Sequence, residues 1–118
     1  MDQKQIQFLG ERGIDYQEGL GRFMNNAPLF EKFLLKFLED ASFAGLKTAL
    51  EAENCEAAFH AAHTLKGVAG NLSLKSLAQV VSEQTELLRG GDLAGGRGMM
   101  HAVTQAYDAA IEAIRAIH

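Results

Sequence analysis

The sequence predicts an all-α fold, an antiparallel four-helix bundle preceded by two short helices that cover one end. Three observations carry that expectation. Apolar residues recur at helical spacing almost throughout; no stretch of four to eight residues alternates as a half-buried strand would; and turn-forming residues fall in short clusters that leave helix-length pieces between them.

Residues 2 to 9 make a short helix carrying Ile6 and Leu9, ended by Gly10 and Gly13. Asp15 caps a second short helix, with Glu18 three residues later completing a capping box and Tyr16, Leu20 and Phe23 as the buried side. Asn25 and Asn26 precede Pro28, which suits a first helical turn because proline's missing N–H has no partner there. The long helix that begins here carries Phe30, Phe33, Leu34, Phe37, Leu38, Ala41 and Ala44 as one stripe. Phe43, Leu46 and Leu50 fall on nearly the opposite side of a straight helix, so a kink or a change of packing partner is expected near residues 40 to 45. From Asn54 to about Leu72, the residues Cys55, Ala58, Phe59, Ala62, Leu65, Ala69 and Leu72 make the next stripe. Asn71, Ser73 and Ser76 allow only a short turn before Leu74, Leu77, Ala78, Val81 and Leu88 set another, so these two helices run antiparallel. Gly90, Gly91, Asp92, Gly95, Gly96 and Gly98 read as a flexible glycine-rich connection, and Val103, Tyr107, Ala110, Ile114 and Ile117 mark the last helix.

Length and composition bound the function. A chain of 118 residues is the size of one domain, taken as 1–118, and 47% hydrophobic with 22% charged residues is an ordinary globular balance. Cys55 is the sole cysteine, and the N-terminus shows no basic segment followed by an apolar one, so the cytoplasm is the expected compartment. No apolar run approaches the roughly 18 residues of a membrane span. The net charge of -4 offers no general attraction for nucleic acid or an anionic membrane surface. The expected partner is another protein, and the apolar stripes are confined to faces that one bundle can bury, so the chain is expected to be a monomer.

Chemistry concentrates on the helix from Asn54. At about 100° per residue, His63 lies roughly 120° from the centre of the apolar stripe and faces solvent. Glu56, His60, Gly67 and Gly70 share its side, and Lys66 lies one turn on, at the edge of the stripe. Each glycine inside a helix costs about 1 kcal/mol relative to alanine, and two of them leave the surroundings of His63 bare. Something is therefore expected to approach that histidine closely. Histidine's ordinary pKa of roughly 6.5 leaves a neutral, nucleophilic imidazole near pH 7, and a neighbouring ammonium can neutralise a phosphoryl group attached to it. The chain has no Gly-x-x-x-x-Gly-Lys-Ser/Thr loop, no kinase signature and no evident acidic cluster for magnesium, so it is expected to receive phosphate already activated rather than to split ATP.

Ala62-His63-Thr64-Leu65-Lys66-Gly67-Val68-Ala69-Gly70-Asn71-Leu72 closely resembles the signature of histidine phosphotransfer (HPt) domains, an exposed histidine followed by x-Leu-Lys-Gly and a run of small residues. The resemblance extends upstream through Gly13-Ile14-Asp15, Gly19-Leu20-Gly21-Arg22-Phe23, Phe30, Leu34 and Phe37, and downstream to Arg89-Gly90-Gly91-Asp92. It implies a four-helix bundle, phosphorylation of His63, and partners that are receiver domains of response regulators or hybrid sensor kinases. In that family the receiver supplies the aspartate and the magnesium, so no cofactor is expected on this chain. The sequence departs from the family at Ser73, where glycine is frequent, and at Gln84-Thr85, where a Leu-Glu pair is.

With a turn near residue 72, residues 81 to 85 lie level with His63 on the next helix, and Gln84 and Thr85 face inward. One of them is expected to hydrogen-bond the imidazole and leave the other ring nitrogen as nucleophile. His60, which lacks the flanking pattern, reads as an ordinary surface histidine, and a metal site on His60 and His63 lacks a third and fourth ligand. Cys55 reads as a small core residue. The expected function is a relay: His63 takes a phosphoryl group from a receiver aspartate, Lys66 stabilises the phosphohistidine, Gly67 and Gly70 admit the partner, and a second receiver takes the group away. Its rival is a bundle of the same shape that binds receivers without being phosphorylated.

Overall fold

Side-chain caps mark where several of the helices begin in the computed structural model, which describes residues 1–117. Asp2 opens α1 (Gln3–Glu11) with a full capping box: its carboxylate accepts from the Gln5 N–H at 2.8 Å, and the Asp2 N–H donates to the Gln5 side chain at 3.0 Å. Asp15 opens α2 (Tyr16–Arg22), and Asn26 opens α3 (Ala27–Lys36) with Pro28 in its first turn. After α4 (Ser42–Glu51), Asn54 opens α5 (Cys55–Asn71) by accepting from the Ala57 N–H at 3.0 Å. Each cap satisfies a backbone donor that the helix itself cannot. α6 (Lys75–Arg89), α7 (Leu93–Gly98) and α8 (Met100–Arg115) complete the chain, with no strand among the described residues beyond a single bridge between Ile14 and Leu74.

The expected kink is a complete break. A 3₁₀ turn over Phe37–Glu39 ends α3, Asp40 turns extended with ψ 130°, and its carboxylate accepts from the Ser42 N–H at 2.8 Å as α4 begins. Phe37 and Leu46, which a straight helix would place about 180° apart, are thereby both buried, at 2% and 0% exposure. The break lies slightly earlier than residues 40 to 45.

The bundle is built from α4 against α5, α5 against α6, and α6 against α8. Phe43 of α4 closes the ring by stacking on Tyr107 of α8, with centroids 4.0 Å apart and planes 6° from parallel. The 90–98 segment differs from the flexible connection expected of its glycines. Asp92 caps α7 by accepting from the Gly95 N–H at 2.8 Å, and a Cβ at Gly96 would run into the Leu88 side chain. There glycine serves close packing of α7 on α6.

The short helices cover the end at which α5 turns into α6. Gly13 takes φ +86°, the Asp15 N–H donates to the Ser73 carbonyl at 2.9 Å, and Ile14 and Leu74 are buried together. Ser73 itself holds φ +57°, a left-handed conformation that favours glycine. Its hydroxyl is tied down by a 2.9 Å bond to Glu18, which also pairs with Lys75 at 2.8 Å. Glu18 thus leaves the expected capping box half made: Asp15 accepts from its N–H, but its own carboxylate reaches across to the α5–α6 turn.

The Lys75 and Ser73 hydrogen bonds hold the Glu18 carboxyl below the usual carboxylate value. A group whose folded pKa is depressed stabilises the fold above its unfolded pKa and loses that contribution as pH falls through the folded one. Glu18→Gln is therefore expected to lower the melting temperature slightly near neutrality, since solvent screens an exposed pair. The gap should close as pH falls below the ordinary value of 4.5 and the wild-type carboxylate also becomes neutral. Thermal melts at stepped pH check this, and a gap that ignored pH would assign the contribution to shape rather than charge.

Candidate functional site

Small side chains let α5 sit deep between its neighbours. Ala58, Ala62, Leu65 and Ala69 are all fully buried, and this inward stripe turns His63 out to solvent, as the helical wheel requires. Of the residues expected on the same stripe, Cys55 and Phe59 are only half-buried and lie at its edge. Cys55 directs its thiol towards the Leu88 carbonyl at 3.5 Å.

Around the imidazole the helix is sparsely furnished. Lys66 lies three residues on and half-buried, at the spacing that makes helix side chains neighbours, and no ion pair among the described residues engages its ammonium. At Gly67 and Gly70 a Cβ would meet nothing within 4 Å, so neither glycine is required by packing within the chain. Gly19 is the opposite case, since a Cβ there would strike the Phe30 ring. Open glycines also occur at Gly10, Gly21, Gly45 and Gly98. What distinguishes Gly67 and Gly70 is their position one and two turns beyond an exposed histidine.

His60 is exposed as well, with its Nε2 3.9 Å from Glu56, an i,i+4 pair on the open helix surface. Among the described residues, no group of three or more His, Cys, Asp or Glu side chains is placed to hold a metal ion.

The expectation that Gln84 or Thr85 orients the imidazole is corrected by the structure. Both are fully buried, but Gln84 donates through Nε2 to the Gly96 carbonyl at 3.0 Å, and Thr85 donates to the Val81 carbonyl of its own helix at 2.6 Å. α6 is packed against α5, α7 and α8, so an inward position level with His63 need not face it. The ring that does lie beside His63 is Phe59, one turn back, with centroids 5.8 Å apart and planes 25° from parallel. The Arg89 guanidinium of α6 sits 4.9 Å from the Phe59 centroid and pairs with Glu86 at 3.3 Å. Neither Phe59 nor Arg89 was expected at the site. The i,i+4 spacing of Phe59 and His63 is the signal that could have found the first.

An exposed imidazole beside a cation, on a helix stripped of side chains on one approach, can act as a nucleophile towards a group carried by another macromolecule. Comparison with protein families matches the Hpt domain to residues 32–116, from within α3 through the end of α8. The upstream resemblance read at residues 13 to 30 lies outside that match. Comparisons with curated proteins and with solved structures find none. The match spans most of the chain and includes the whole His63-Lys66-Gly67 face, and the chain belongs to the Hpt domain family.

Proposed function

We propose that this chain is a phosphorelay intermediate whose His63 reversibly accepts a phosphoryl group from a receiver-domain aspartate and passes it to a second receiver. Membership of the Hpt family implies a histidine-containing phosphotransfer role in a phosphorelay. The observation that carries the finer reading is the exposed His63 with two open glycines beyond it and Lys66 alongside.

In this reading the unprotonated ring nitrogen of His63 attacks the phosphorus of the aspartyl phosphate in line. The N–P bond forms as the P–O bond to the aspartate breaks, and the carboxylate leaves with the bonding pair. The other ring nitrogen keeps its proton, so the product is an N-phosphorylated imidazolium and the step needs neither water nor a further reactant. Lys66 offsets the negative phosphoryl oxygens, and the reverse step regenerates neutral His63. Magnesium belongs to the receiver, and this chain supplies no ATP-splitting activity of its own. The partners we infer are receiver domains of response regulators or hybrid kinases, and the working unit is a cytoplasmic monomer; no described helix is long and apolar enough to cross a membrane.

Incubation with a phosphorylated receiver tests the reading. The chain should acquire an acid-labile, base-stable phosphate; stable binding without label would leave a receiver-binding module instead. Lys66→Ala should slow transfer on the order of tenfold and shorten the life of the phosphohistidine, because it removes charge stabilisation and leaves the nucleophile. The effect is smaller than for a fixed oxyanion-hole donor because the ammonium is partly solvated. Single-turnover rates and label decay check it, and unchanged values would reduce Lys66 to a solubilising charge.

A further inference from the structure

We propose that Phe59 is the positioning residue of the His63 imidazole, holding by ring stacking an orientation that no side chain of α6 supplies. The inference rests on the reading that His63 is the phosphorylated residue. Helical side chains lean towards the N-terminus, so His63 inclines over the turn that carries Phe59. The centroid separation of 5.8 Å and the 25° between the planes fall in the range of an offset aromatic pair.

Phe59 is suited to this because its own ring is anchored. It is half-buried and packed against the core cluster, and Arg89 lies over it at 4.9 Å while Glu86 holds Arg89 at 3.3 Å. Pairwise contacts thus connect α6 to the His63 ring: Glu86 to Arg89, Arg89 to Phe59, and Phe59 to His63. They differ from the Gln84 and Thr85 hydrogen bonds, which run to Gly96 and Val81 and leave His63 untouched.

The consequence is kinetic. An exposed imidazole free about χ1 and χ2 divides its time among several rotamers, and attack needs one that presents its unprotonated nitrogen to the partner. Stacking on Phe59 removes some of the unproductive rotamers before the partner arrives, which raises the fraction of encounters in attacking geometry. A pairwise aromatic contact of ordinary strength is equivalent to a rate effect of roughly three- to tenfold.

The test uses the full chain and two readouts. In the free protein, the ring protons of His63 should be displaced by the Phe59 ring current, and Phe59→Leu should remove that displacement while Phe59→Tyr retains it. In single-turnover transfer from a phosphorylated receiver, Phe59→Leu should be roughly three- to tenfold slower and Phe59→Tyr close to wild type. Melting curves establish that each variant is folded. Arg89→Gln, at an exposed position, should reduce the His63 displacement and slow transfer, but should slow it no further in the Phe59→Leu background, since Arg89 acts through the ring. Should Phe59→Leu fail to fold, the Arg89→Gln displacement decides. His63 shifts and transfer rates insensitive to the loss of the ring would overturn the proposal, as would additive effects of the two substitutions. A wild-type chain that takes no phosphate would instead overturn the relay, and the ring-proton shifts would still judge the stack.

Discussion

His63→Gln is expected to abolish phosphate acceptance while leaving the melting temperature within about 3 °C of wild type. The two halves of that expectation have separate causes. Glutamine keeps a polar side chain of helical propensity at an exposed site, and the buried stripe of Ala58, Ala62, Leu65 and Ala69 on the other side of α5 is unaffected. What disappears is the only nitrogen at that position able to attack phosphorus, since an amide nitrogen has no available lone pair. His60→Gln, three residues earlier on the open helix surface with its Nε2 3.9 Å from Glu56, should retain transfer. Parallel labelling and melting of the two variants check this; label lost with His60 rather than with His63 would reverse the assignment.

Replacing Gly67 by glutamine should move activity and stability in opposite directions. A Cβ added there meets nothing within 4 Å, and the substitution replaces a poor helix former with a better one. The bundle should be unchanged or more stable, by about 1 kcal/mol at most. A receiver that must bring its aspartate to His63, one turn away, would meet the new side chain directly. Transfer is expected to fall on the order of 100-fold, equivalent to about 2.7 kcal/mol of lost docking. Phosphoramidate, a small phosphoryl donor that requires no docked surface, should still charge His63 in the variant. Unimpaired transfer from the receiver would mean that the partner approaches over another face, and a large drop in melting temperature would mean that Gly67 is needed by the fold.

Most of the architecture was legible because it depends on local periodicity and caps. The α5 stripe needed only the spacing of Ala58, Ala62, Leu65 and Ala69, and the break after α3 was implied by Phe37 and Leu46 both demanding burial. Its position was less legible, because it depends on Asp40 turning extended and accepting from the Ser42 N–H. α7 was hidden for a different reason. Glycine's poor helix propensity argues for a loop, and the need for Gly96 to admit Leu88 is visible only once α6 and α7 are adjacent.

At the site, the relations among His63, Lys66, Gly67 and Gly70 lie within one helix, so spacing alone arranges them. Gln84 and Thr85 required the rotational register between two helices. Spacing along one helix does not give that register, and the two side chains turn to Gly96 and Val81. Phe59 was visible four residues before His63 and was assigned wholly to the core, whereas a half-buried aromatic can pack inward with one edge and face a neighbour with the other.

The relay itself is tested most directly by following one phosphoryl group through the chain. Wild-type protein is charged from a labelled phosphorylated receiver, separated from it, mapped by fragmentation under alkaline conditions, and then mixed with a fresh unphosphorylated receiver and magnesium. The label should sit on His63 and leave for the second receiver's aspartate. Label on any other residue, or label on His63 that no receiver can remove, would contradict the assignment of this chain as a reversible carrier.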